Sequence, residues 1–162
     1  MNIPKVDTWF FEKLEFHYPD ILSVKLIEGI KSDESEMVLS DTENPIGPYF
    51  PVRVSEQSCS IRVAFKDVVS FHVIDESYSS PTEKLDVISE IGPVRKCDGL
   101  DYKKYVQSDS IVDQTGPEVL FGYYIWTEDQ TLFVLSTEDP EVLISDEQPN
   151  TKLERCNTYF SK

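Results

Sequence analysis

His17 and His72 are the two histidines of this chain, and imidazole is the side chain best suited to moving a proton near neutral pH. His17 lies in a segment of mixed character and His72 on the polar side of an alternating run. Neither belongs to a catalytic motif, so both read as solvated or hydrogen-bonded structural residues. The chain has no Gly-x-Ser-x-Gly elbow, no Walker loop, no Gly-x-Gly-x-x-Gly and no His-Glu-x-x-His. Its six glycines leave little material for a phosphate cradle.

Carboxylate pairs are frequent: Asp75-Glu76, Glu128-Asp129, Glu138-Asp139 and Asp146-Glu147. Two carboxylates can divide acid and base roles when their environments differ. Adjacent side chains diverge on a strand or loop, however, and most of these pairs border turn residues, so they read as solvated turn acids. The acidic run from Asp33 to Glu43 lacks the central glycine and the ligand spacing of a calcium loop. Cys59, Cys97 and Cys156 are odd in number and widely spaced, with no Cys-x-x-Cys and no histidine at ligand spacing. No metal and no cofactor is expected, and the three thiols are expected to be free in a reducing, cytoplasmic setting.

Charge points toward partners. Thirty acidic residues against fifteen basic ones give a formal net charge of −15. Such a field repels nucleic acid, whose binding needs clustered Lys and Arg, and it speeds encounter with a basic protein. The plain alternative is that acidity serves solubility only. The N-terminus shows no charged region followed by an apolar one, and no run reaches membrane-spanning length, so no membrane partner is expected.

Several elements must position these residues. At 162 residues and 40% hydrophobic, the chain is expected to form a single domain over residues 1–162. From Asp7 to Tyr18 helical and strand spacings conflict. Ile21 to Ile30 alternates like a strand, with Leu22, Val24 and Leu26 on one face. Residues 31–49 read as a mobile acidic loop holding at most a short strand at Met37–Leu39. A hairpin across Gln57-Ser58-Cys59 is expected, then a run from Val68 to Ile74 with Val69, Phe71 and Val73 inward, Lys66-Asp67 being a turn or a bulge. Ser80-Pro81-Thr82-Glu83 has the form of a capped helix start, and Gly92-Pro93 would stop that helix. A second helix is read at Leu100 to Gln107. Val119 to Thr127 and Thr131 to Ser136 are the strongest strands, joined by Glu128-Asp129-Gln130, and both sides of the first are apolar. A short strand at Val142 to Ile144 and a polar C-terminal tail follow. The fold class expected is α+β: a mainly antiparallel curved sheet or partly open barrel of six or more strands, with two short helices at about 81–91 and 100–107.

The strand ending in Asp75-Glu76-Ser77-Tyr78, then Gly92-Pro93, Leu100-Asp101-Tyr102-Lys103-Lys104-Tyr105-Val106, Phe121-Gly122-Tyr123-Tyr124-Ile125 and Thr131 to Val142, together resemble uncharacterised bacterial cytosolic β-rich proteins. Some of these resemble immunity proteins of contact-dependent growth inhibition and other polymorphic toxin systems. The resemblance spans roughly residues 60–145 and carries no catalytic residue with it. It implies an immunity protein that binds and neutralises a basic toxin domain, such as a nuclease, without being an enzyme. Partner-binding candidates are Asp75, Glu76, Tyr78, Glu128, Asp129, Glu138 and Asp139 near strand ends, with Trp126 as an anchor, although its place in an apolar strand reads first as a core residue. A non-enzymatic structural or regulatory interaction module unrelated to toxins is the second reading, and a carboxylate-pair hydrolase the third.

Overall fold

The computed structural model describes residue 3 and residues 5–39, 45–78, 85–145, 147, 149 and 151. In chain order the elements are β1 (Trp9–His17), β2 (Ile21–Glu28), β3 (Ile30–Lys31), β4 (Glu36–Leu39), β5 (Pro45–Tyr49), β6 (Val52–Arg53), β7 (Ser60–Phe65) and β8 (Val68–Asp75). They continue with β9 (Asp86–Ile91), β10 (Val94–Asp98), α1 (Asp101–Asp109), α2 (Val112–Thr115), β11 (Phe121–Trp126), β12 (Gln130–Ser136) and β13 (Glu141–Ile144). A four-stranded sheet runs β1-β2-β7-β13 and a five-stranded sheet β8-β12-β11-β10-β9, with two-stranded ribbons β3-β6 and β4-β5 beside them. Every pairing among the described strands is antiparallel.

The conflict of periods in Asp7–Tyr18 has a local cause. Phe16 pairs with Leu22, Leu14 with Val24 and Phe11 with Leu26, but the register shifts between Phe11 and Lys13. Glu12 is the inserted residue of a β-bulge. It stretches the inward spacing from two to three and so imitates a helix. With Leu22, Val24 and Leu26 the inward side of β1 and β2 meets Ile61, Val63 and Phe65 of β7. Across from them lie Tyr123, Ile125, Leu132 and Val134 of the second sheet, forming the main core. Each fully buried aliphatic or aromatic side chain there contributes roughly 1.5–3 kcal/mol relative to exposure.

Lys66-Asp67 is a corner between sheets rather than an irregularity within one strand. Asp67 takes a positive φ of 48°, and the chain leaves the first sheet at Phe65 to enter the second at Val68. On β8, Phe71 and Val73 join the core as expected, whereas Val69 is exposed and Val68 is buried instead. The outer face of the second sheet is covered in part by the start of α1: Leu100 and Tyr102 pack on Phe133, Tyr124 and Cys97. Tyr102 also shares a 2.6 Å hydrogen bond with Ser70. The apolar character of both sides of β11 is thus explained up to Tyr124, beyond which the cover ends.

Among the described residues the chain is mainly open antiparallel sheet with two helices, in keeping with the α+β reading, and no barrel closes. Three local expectations are corrected. The helix expected at 81–91 is strand β9 over Asp86–Ile91, while residues 81–84, and with them most of the capping signal, lie outside the described residues. Gly92-Pro93, read as a helix stop, is the two-residue loop of the β9–β10 hairpin, where Gly92 takes φ +57° at the first central position. The second helix holds, as α1, and α2 follows it. The Gln57–Cys59 hairpin does not form, because β6 pairs with β3 and β7 with β2. Within 31–49 the chain makes the β4–β5 ribbon, including the short strand expected there. Residues 40–44 and 152–162, most of the polar tail, lie outside the described residues.

Candidate functional site

Six of the eight partner-binding candidates gather at one end of the five-stranded sheet. Asp75 ends β8 directly opposite Gln130, and Trp126 pairs with Thr131, which pairs with Ile74. The Glu76 N–H donates to the Asp129 carbonyl at 3.0 Å. Asp75 Oδ1 accepts the Ser77 N–H at 2.9 Å, opening the single 3₁₀ turn Glu76–Tyr78. Two aromatic side chains project from this end, Tyr78 at 85% and Trp126 at 41% exposure. Trp126 therefore stands outside the core.

The loop beneath them is stiff. Thr127 is buried, and its hydroxyl shares its one hydrogen between the Gln130 carbonyl at 2.7 Å and Asp129 Oδ1 at 2.8 Å while accepting the Gln130 N–H. Asp129 Oδ1 also accepts the Phe11 N–H of the other sheet at 2.9 Å, and the Glu128 N–H donates to the Trp9 carbonyl at 2.9 Å. Asp129 is thus spent on joining the two sheets. Asp75, Glu76 and Glu128 with the two aromatics form the surface, and the stiff loop spares a partner some of the ordering entropy of docking.

Glu138 and Asp139 are elsewhere. Seven residues of β12 separate them from Gln130, roughly 20 Å of strand. Asp139 Oδ1 accepts the Tyr123 hydroxyl at 2.7 Å and the Lys96 ammonium at 2.6 Å, and that ammonium sits 3.4 Å over the Phe121 ring. The Glu138 carbonyl lies 3.1 Å from that same Tyr123 hydroxyl, as a weaker acceptor for its one hydrogen, and 3.1 Å from the Ser136 hydroxyl. Lys96, followed by Tyr123, holds the Asp139 carboxyl below its ordinary range, and burial with Asp139 pushes the Tyr123 phenol far up. The Asp139 carboxylate and the Tyr123 phenol are thus each held in their resting forms. The adjacent hollow, about 20 Å³ between Ile91, Val94 and Pro140, has room for one water.

The histidines do not meet. Phe16 and Phe71 contact each other on the inner side, with ring centroids 5.6 Å apart, so their neighbours His17 and His72 point to opposite outer faces. His72 lies against Tyr102. Among the described residues no group of three or more His, Cys, Asp or Glu is placed to hold a metal ion. Cys97 is buried under α1, and burial and then Glu28 push the Cys59 thiol up. Cys156 lies outside the described residues. No described helix is long and apolar enough to cross a membrane.

Two features escaped the sequence reading. Lys25 is 8% exposed on the outer face of the first sheet, bridging Glu12 at 3.0 Å and Glu147 at 2.8 Å. Its signal was its place in an alternating apolar strand. The other is β9, all six of whose residues are exposed. Its valine and isoleucines were legible, but the capping pattern before them pointed to a helix. Set against protein-family models, curated proteins and solved structures, the chain matches none.

Proposed function

We propose that this chain is an immunity protein that, in the cytosol, binds and neutralises a basic toxin domain, acting by occlusion and without chemistry of its own. The observation that carries the reading is the gathering of Asp75, Glu76, Tyr78, Trp126 and Glu128, from two stretches far apart in sequence, at one end of a stiff sheet. Aromatic anchors ringed by carboxylates suit a nuclease surface, whose cations are arranged for phosphates. Net charge of −15 supplies the long-range attraction. Co-expression with any basic toxin domain encoded beside its gene tests it. Restored growth and a stable complex are expected. A toxin that kills equally with and without this protein, together with no complex on mixing, refutes it.

A further inference from the structure

β9 overhangs the sandwich. Among the described residues it is hydrogen-bonded to β10 alone and is the last strand of its sheet. Ser89 and Ile91 share the inner side with Lys96 and Val94, and Val87 shares the outer side with Cys97, yet all are exposed. Val87, Ile88 at 62% exposure and Ile91 are exposed apolar side chains on a strand whose outer edge is unpaired among the described residues. The other edges are occupied or short. β1 gives its Trp9 carbonyl and Phe11 N–H to the 127–129 loop, β8 is tied at both ends by Asp20 and Asp129, and β13 has four residues.

An exposed edge invites any strand, so what distinguishes a partner is charge. Asp86 lies directly opposite Asp98, and among the described residues neither carboxylate has a basic side chain within ion-pair distance. Like charges placed opposite each other repel. A second copy pairing antiparallel about Ile88 would set Asp86 of each chain against Glu90 of the other, on top of the mutual repulsion of two chains at −15. A strand carrying Lys or Arg relieves that repulsion while filling the backbone edge.

We propose that β9 is a docking strand for an extended, lysine- or arginine-bearing segment of a partner protein, which adds to the sheet as a sixth strand. The incoming backbone pairs with the free edge. Its apolar side chains lie beside Val87, Ile88 and Ile91, and its cations sit between Asp86 and Asp98. The proposal takes from the toxin-binding reading only the positive sign of the partner.

The probe is a capped ten-residue peptide alternating Val and Lys, titrated into the full chain and followed by backbone amide shifts and hydrogen exchange. Shifts and new protection confined to residues 86–91 are expected, and a Val–Glu peptide at the same concentration should do nothing. Ile88→Lys and, separately, Asp86→Lys should each weaken binding about tenfold, equal to roughly 1.4 kcal/mol, with circular dichroism unchanged. A peptide methylated on alternate backbone nitrogens should fail to bind. Equal binding of the methylated peptide, shifts scattered over the acidic surface or centred on Trp126, or a dimer abolished by Ile88→Lys would each overturn the proposal. Growth protection is read in a separate assay, so failure of either idea leaves the other standing.

Discussion

Tyr123 donates its phenolic hydrogen to Asp139 at 2.7 Å, on the same carboxylate oxygen that Lys96 holds at 2.6 Å. This fixes the segment after β12 over the core face of the five-stranded sheet before the chain crosses to β13. Tyr123→Phe should cost about 1–2 kcal/mol, because the buried hydrogen bond to the Asp139 carboxylate goes while the ring stays. Urea unfolding measures it.

The same cluster predicts an acid-side dependence. Asp139 titrates below its unfolded value, so its contribution is whole above about pH 4 and is lost as pH falls through the depressed folded value. The stability gap between the wild type and Lys96→Met should therefore narrow below that pH. A gap that widens toward acid would contradict the ion pair.

Lys25 offers a sharper test of burial. Burial alone would lower its pKa, yet the bonds from Glu147 and Glu12 outweigh it and hold it up, so the ammonium stays charged. Lys25→Met should cost about 3 kcal/mol, because it strands the buried Glu12 carboxylate. The double change Lys25→Met with Glu12→Leu should recover most of that loss. A double-mutant cycle in urea reads both.

At Gly122 a methyl group would stand 2.6 Å from Leu100 Cδ1 and 3.4 Å from the Cys97 carbonyl. Leu100 is itself buried and has little room to turn. Gly122→Ala should destabilise by roughly 1–3 kcal/mol, the usual range for overpacking, and should lift α1 from the sheet, seen as faster amide exchange at 101–109.

Asp129 and Trp126 separate stability from binding. Asp129→Ala leaves the Phe11 N–H without its acceptor and should cost about 1–2 kcal/mol of stability. Trp126→Ala should leave the unfolding midpoint nearly unchanged and weaken the proposed binding of a basic toxin domain about thirtyfold, roughly 2 kcal/mol at a hot spot. Equal effects of both on stability and none on binding would remove this surface from the proposed function.

Elements with plain alternation were legible. β2, β7, β11 and β12 stand close to their expected places because period two along a β-branched and aromatic run has one physical solution. β1 was hidden by its own bulge. β9 was hidden because Gly92-Pro93 serves a hairpin as readily as it stops a helix, and only pairing with Val94–Asp98 decides between them. The site divided for a related reason. Acids beside turns look alike in sequence, but Asp129 and Asp139 receive internal donors from strands more than a hundred and about forty positions away, while Asp75 bonds only to its own turn.

The two sheets differ in how the chain supplies them. The five-stranded sheet is cut from one continuous stretch, Val68 to Ser136, whereas the four-stranded sheet takes β1 and β2, then β7, then β13. On a ribosome the first can assemble as soon as its last strand emerges. The second must hold its edge open until residues 141–144 arrive, with Ile61 and Val63 waiting for Ile144 and Val142. Long-range closure of this kind is slow relative to local pairing. The nascent chain thus passes through a stage in which β7 is the exposed edge, the point in its life at which it is most open to pairing with the wrong strand.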